Sequence, residues 1–93
     1  MTLAVDQLAH ELNLSPSDLI QRSVAAFLER ERRATQMDIA DLQDRYGART
    51  SAELAVRIEG GEVYSHPAWE ELIEWQNLEA YLERLARWQA TVD

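Results

Sequence analysis

An all-α protein is what this sequence predicts, on three observations. Three glycines and two prolines in 93 residues leave few places for the chain to reverse, which favours long helices over many short strands. No Asn-Gly or Asp-Gly pair offers a hairpin turn, and apolar/polar alternation is rare. Apolar residues recur instead at helical spacing in several stretches. A chain of this length makes one domain, or two helical pieces sharing one core. Such small cores are often completed by a second copy or a partner.

The first stretch, residues 3–12, places Val5, Leu8, Ala9 and Leu12 on one side of a short helix, which Asn13 and Leu14 end. Ser15-Pro16-Ser17-Asp18 then opens a second helix. Ser15 is suited to accept from an orphan amide, Pro16 has no donor to lose at the first helical position, and Asp18 stands where a capping box has its acid. Leu14 and Leu19 flank the cap as a hydrophobic staple. This helix presents Leu19, Ile20, Val24, Phe27 and Leu28, then enters the charge run Glu29–Arg33. Neither glycine nor proline interrupts Ala34–Arg45, and Ile39, Leu42 and Tyr46 resume the apolar spacing before Gly47 stops it. The pattern leaves open whether residues 15–46 form one helix or two with a bend near Ala34–Asp38.

Thr50 or Ser51 caps a short third helix with Leu54, Ala55 and Ile58 on one side, ended by Gly60-Gly61. A last amphipathic helix starts around Pro67 and runs towards Ala90, with Glu83 and Arg87 as an i,i+4 pair. The expected architecture is a short N-terminal helical pair, a long central helix, a short third helix and a long C-terminal helix. Residues 1–33 read as a helical dimerisation unit, through Leu8, Leu12, Leu19, Ile20, Val24, Phe27 and Leu28. Residues 34–93 read as the central and C-terminal helices that bind a partner.

The most informative stretch is Tyr64–Trp88. It holds all three tryptophans, Trp69, Trp75 and Trp88, interleaved with Glu70, Glu71, Glu74, Glu79 and Glu83. Trp75, Leu78, Leu82 and Leu85 share a stripe, whereas Trp69, Leu72 and Ile73 point to another side. The apolar face changes direction near Glu74–Trp75, as it does in a helix that bends or is gripped by two surfaces. Rings set among carboxylates on a helix read as a docking surface: Trp and Tyr are typical interface hot spots, and the carboxylates speed association and set orientation. The residues expected to face a partner are Tyr64, Trp69, Glu70, Glu71, Ile73, Glu74 and Trp75.

Charge narrows the partner. Seventeen acids oppose nine bases, all arginine, for a net charge of −8, a balance that opposes non-specific binding to a polyanion and favours a basic protein. Residues 1–46 carry −3 and residues 47–93 carry −5, so the excess leans towards the tryptophans. No cysteine is present, which excludes disulfides and thiolate chemistry. The N-terminal residues meet acids and an amide too early for a signal peptide, and no apolar run approaches the ~20 residues of a membrane span. A cytoplasmic protein is expected.

Catalysis is not expected. His10-Glu11 does not begin a zinc-protease motif, because Leu14 stands where the second histidine belongs. Glu70, Glu71 and Glu74 have no histidine on their helix, so a di-metal bundle site is unsupported. No cofactor or metal is expected, and no nucleophile stands beside a base. The two helices around Asn13–Pro16 also have the order of a helix-turn-helix, in which Ser17, Asp18, Gln21 and Arg22 would face DNA. One arginine beside an aspartate is a poor reader, so Ser17, Gln21 and Arg22 stand as an alternative DNA contact, below a dimerising hairpin.

Leu8–Arg32, LAHELNLSPSDLIQRSVAAFLERER, resembles the two helices of ribbon-helix-helix (MetJ/Arc-like) proteins, including bacterial type II antitoxins. Asp41–Leu85, with DLQDRYG, a short helix, a Gly-Gly turn and HPAWEELIEWQNLEAYLERL, is similar to the C-terminal half of small prokaryotic antitoxins. The resemblance implies an N-terminal dimerisation unit and a C-terminal segment that wraps a small toxin and blocks its active site. The departure lies at Met1–Ala4, where the family's DNA-reading strand should be and no arginine or lysine occurs; this argues against DNA binding by the chain alone. An antitoxin-like protein that neutralises a small basic toxin is the leading expectation. A DNA-binding regulator or a small helical assembly subunit are the alternatives.

Overall fold

The structure, a computed structural model, describes residues 4–92. Its order is α1 (Val5–Glu11), α2 (Pro16–Tyr46), α3 (Ser51–Glu59) and α4 (Ser65–Val92), with no strand among the described residues. The fold is all-α, as the scarcity of turn-formers requires. Of the DNA-reader position Met1–Ala4, residues 1–3 lie outside the described residues, and Ala4 is the N-cap of α1.

Each boundary has a local cause. α1 closes in a Schellman motif: Leu14 N–H donates to the Ala9 carbonyl (2.9 Å) and Asn13 N–H to that of His10 (3.1 Å). Asn13 takes the left-handed conformation at φ 57°, which asparagine tolerates better than most residues. Ser15 caps α2, its Oγ accepting from Asp18 N–H at 3.0 Å, with Pro16 at the first helical position. Thr50 Oγ1 caps α3 by accepting from Glu53 N–H at 3.1 Å. α3 ends in a second Schellman motif, with Glu62 N–H on the Arg57 carbonyl, Gly61 N–H on that of Ile58, and Gly61 at φ 76°.

α2 is one uninterrupted 31-residue helix, about 46 Å long at helical rise. The question of a break near Ala34–Asp38 is thereby answered, and position 33/34 falls inside a helix that both proposed units share. What carries α2 through its charge run is α4, which lies antiparallel along it. Gln21 Nε2 donates to the Val92 carbonyl (3.0 Å) at one end, and Arg45 pairs with Glu71 at the other. The α2 side chains that meet α4 include Gln21, Ala25, Leu28, Ile39 and Leu42, spaced by threes and fours or their sums, the seam of two near-parallel helices.

Gly47 ends α2 at φ 61°, and Arg57 Nη1 donates to the Tyr46 carbonyl at 2.8 Å, serving one of the helix's last orphan acceptors. A Cβ at Gly47 would meet only Arg57 Nη1, at an ordinary 3.9 Å. The backbone therefore decides the effect of substitution. Gly47→Ala is expected to cost about 1–2 kcal/mol, the left-handed penalty of an L-residue, read as a lower denaturant midpoint with unchanged slope.

α3 folds back onto α2 and α4, and Leu42, Ala48, Leu54, Leu72 and Trp75 form the core there, flanked by Ile39, Tyr46, Ala55, Ile58 and Leu78. The other half of the hairpin has two helices plus the short α1. The molecule measures 60 × 25 × 20 Å with a radius of gyration of 19.2 Å, against about 12 Å for a compact chain of this length. We call the three-helix end distal and the α1 end proximal.

Candidate protein-interaction surfaces

The change of face in α4 near Glu74–Trp75 has its cause inside the chain. Leu72, Trp75 and Leu78 step by threes, so the apolar stripe rotates around the helix there. α4 is gripped by α2 and α3 together at that level. Ser51 on α3 donates its hydroxyl to Glu79 Oε1, and its N–H reaches Glu79 Oε2 at 3.4 Å, so a carboxylate sits at the positive end of α3.

This geometry sorts the expected partner-facing residues into two groups. Trp75 is 0% exposed and is core, which corrects its assignment to a docking face. Its Nε1 is buried with no hydrogen-bond acceptor among the described residues. Glu71 is also turned inward. It pairs with Arg45, and its carboxylate, second to burial itself, raises the Tyr46 phenol above its ordinary value. Leu72, grouped by spacing with Trp69 and Ile73, is buried beside Trp75. On the outside remain Tyr64 at 91%, Trp69 at 53% and Ile73 at 45% exposure, with Glu70 and Glu74 also exposed. Trp69 and Ile73 are one turn apart and make a ridge, and Glu70 and Glu74 run beside it. His66, at φ −125° and ψ 122°, breaks the start of α4, so the continuous helix begins at Pro67. Nδ1 of His66 lies 2.8 Å from Glu70.

Glu74 overhangs a cleft of about 220 Å³ on α2, lined also by Asp38, Asp41, Leu42 and Arg45. The one arginine there is paired with Glu71, so the cleft's other charged lining groups, Asp38, Asp41 and Glu74, are all acids. Across residues 31–82, eleven acids face five arginines, a net charge of −6.

The expected dimerisation residues divide as well. Leu28 is buried against the α2–α4 seam, beside Gln89 and Val92, which corrects its placement on an outer face. Leu19 is half-buried. Leu8, Leu12, Ile20, Val24 and Phe27 are exposed. Between α1 and α2 lies a groove of about 440 Å³ lined by Ala4, Val5, Leu8, Leu19, Ile20, Ser23 and Val24. Trp88, 62% exposed, belongs with this end. Tyr81 Oη donates to Glu31 (2.7 Å), fixing which flank of α4 meets which flank of α2. Phe27 and Val24 stand four and seven residues before Glu31, and Trp88 seven after Tyr81, so helical periodicity puts all three on that flank. The periodicity signal for this grouping was available in the sequence, but the register between α2 and α4 was not. The same flank reaches Asp38 and Glu74 at the distal end. One side of the hairpin is thus apolar at one end and acidic at the other.

Ser17, Gln21 and Arg22, the alternative DNA contacts, are exposed near the start of α2. Gln21 spends its amide on the Val92 carbonyl, and Asp18 lines the same depression as Arg22.

A charged clamp joins the helices between the two ends. Glu29 accepts from Arg32 Nε at 2.9 Å, Arg33 Nε at 3.1 Å and Gln89 Nε2 on α4 at 3.2 Å. The Arg32 bond is the largest influence, with Arg33 and Gln89 adding to it, and the Glu29 carboxyl is held down to about 2 from 4.5. A depressed carboxyl stabilises the fold above its unfolded value and loses that contribution as pH falls through the folded one. The stability difference between wild type and Glu29→Gln is therefore expected to be constant above about pH 5. It should shrink between pH 4.5 and 2, as measured by denaturant titrations across that range.

Among the described residues no group of three or more His, Asp or Glu is placed to hold a metal ion. No described helix is long and apolar enough to cross a membrane. The fold and its surfaces define a small all-α protein built on an antiparallel helical hairpin. The chain belongs to the family described as Uncharacterized protein MJ0235, whose model matches residues 1–88. No curated protein and no solved structure matches it.

Proposed function

We propose that this chain is an antitoxin-like neutralising protein that captures a small basic protein at its distal end. The observation that carries this reading is the pairing, at the distal end, of the exposed Trp69–Ile73 ridge and Tyr64 with Glu70 and Glu74 of α4 and Asp38 and Asp41 of α2. Exposed aromatics with a carboxylate border suit an interface whose rings supply binding energy and whose charges steer encounter. The resemblance of Asp41–Leu85 to antitoxin C-terminal halves supports the same reading. On this reading the contact is a packed helix end rather than a wrapping tail, because Trp75 and Leu78 hold this part of α4 on the chain's own core.

The partner to test is a short basic protein encoded in the neighbouring reading frame. Trp69→Ala with Ile73→Ala is expected to weaken its capture by about 30-fold or more, the hot-spot range, with circular dichroism unchanged. Association should also slow steeply as salt rises. Capture that is indifferent to both the ridge and salt would leave a helical assembly subunit as the better reading. A DNA-binding regulator would instead show salt-dependent affinity for duplex DNA that Arg22→Ala weakens.

A further inference from the structure

We infer that the proximal end is a self-complementary interface through which two copies of the chain join with their acidic ends pointing apart. This inference is independent of the partner proposed for the distal end.

The first ground is incomplete burial. At the distal end three helices enclose Trp75 and Leu54, and the exposed Trp69 and Ile73 stand beside Glu70 and Glu74, whereas at the proximal end Phe27 and Trp88 stand 57% and 62% exposed beside the α2–α4 seam. With Leu8, Leu12, Ile20 and Val24 they expose roughly 600 Å² of largely apolar surface, so two copies covering all of it would bury at most about 1,200 Å², the lower edge of stable, specific interfaces. Isolated monomers rarely carry more than about 300–600 Å² in one apolar patch.

The second ground is shape. A two-fold contact requires that one patch hold both the projecting and the receiving element. Here the α1–α2 groove of about 440 Å³ receives, and Phe27, one turn beyond Val24 at its rim, projects together with Trp88. Phe27 of one copy enters the groove of its mate, and symmetry repeats the contact.

Charge supplies both the occupant and the orientation. Residues 4–30 and 83–92, which build this end, carry five acids and four arginines, net −1, and one of those acids, Glu29, is already held by Arg32 and Arg33. A second copy therefore meets little repulsion at this end, and a strongly basic partner gains little there. The −6 of residues 31–82 makes a parallel, side-by-side pairing unfavourable, since it would set acid against acid. Joining proximal ends keeps these regions apart.

The test uses the full chain without any partner. Sedimentation equilibrium is expected to give a dimer of the 10.7 kDa chain at micromolar concentration. Phe27→Glu and Trp88→Ser, both at exposed positions, are each expected to weaken it by about 30-fold while helicity is kept. Because the chain has no cysteine, single spin labels at Arg30→Cys and, in a second sample, Glu62→Cys give a readout on otherwise unaltered protein. Labels at position 30 should lie within about 30 Å of each other across the dimer, and those at 62 beyond the range that position 30 gives. A monomer at 100 µM, on the order of the weakest affinity expected of such an area, overturns the inference. So does a dimer insensitive to both substitutions, or one whose position-62 labels are the closer pair.

Discussion

Trp75→Ala is expected to destabilise the protein by about 3–5 kcal/mol, whereas Trp69→Ala, six residues earlier on the same helix, should cost no more than about 0.5 kcal/mol. The contrast follows from burial. Trp75 is wholly enclosed by Leu42, Ala48, Leu54 and Leu72, and its removal leaves a void bordered by three helices that cannot all close in at once. A domain of this size has about 5–14 kcal/mol in total, so the loss should lower the melting temperature by more than about 12 °C. Trp75→Phe refines the test. It retains part of the ring packing and deletes a buried indole N–H that has no acceptor, so its cost should fall well below that of alanine. Thermal melts of the three variants decide the matter: a Trp75→Ala protein as stable as Trp69→Ala would show that this ring is not core.

Leu54→Ala is expected to cost about 2–5 kcal/mol and to act on one element more than the others. α3 has nine residues, too few to persist as an isolated helix in water. Tertiary attachments hold it: fully buried Leu54, the Ser51 bonds to Glu79, and Arg57 on the Tyr46 carbonyl. Hydrogen exchange on Leu54→Ala should show amides of residues 51–59 losing protection first. The α2–α4 seam around Leu28 and Leu85 should retain more. Uniform loss of protection along the whole hairpin would mean that α3 and the seam open as one unit.

Much of the fold was readable because its boundaries are written in local chemistry. Ser15-Pro16, Thr50, Gly47 and Gly60-Gly61 each act on the backbone within a few residues, so the caps and stops follow from the order of side chains alone. The unbroken α2 was not decidable that way. The polar middle of the segment left a bend near Ala34–Asp38 open, and Gln89 and Tyr81 on α4, by bonding Glu29 and Glu31, help hold the run that leads into it against the hairpin.

The candidate site was readable only as a stretch. Periodicity separates the directions of Trp69, Leu72, Ile73 and Trp75 but does not say which direction is inward. The apparent split between Trp75 and the earlier residues mixed buried Leu72 with exposed Trp69 and Ile73. Glu71 and Glu70, adjacent and chemically alike, differ because Arg45 comes to one of them from 26 positions away in the chain.

Composition, caps and spacing alone determined that the protein is all-α, where its capped helices start and its glycine stops fall, and that its later half is acidic and aromatic. These are properties of neighbours in the chain, set by backbone hydrogen bonding and side-chain period. Tertiary structure decided which aromatic is core and which is surface, that Trp88 joins Phe27 on one flank, and that this flank is apolar at one end and acidic at the other. Those outcomes depend on the antiparallel register of α2 against α4 and on where α3 folds back. That register comes from many weak contacts between distant residues, and no short stretch of the chain contains it.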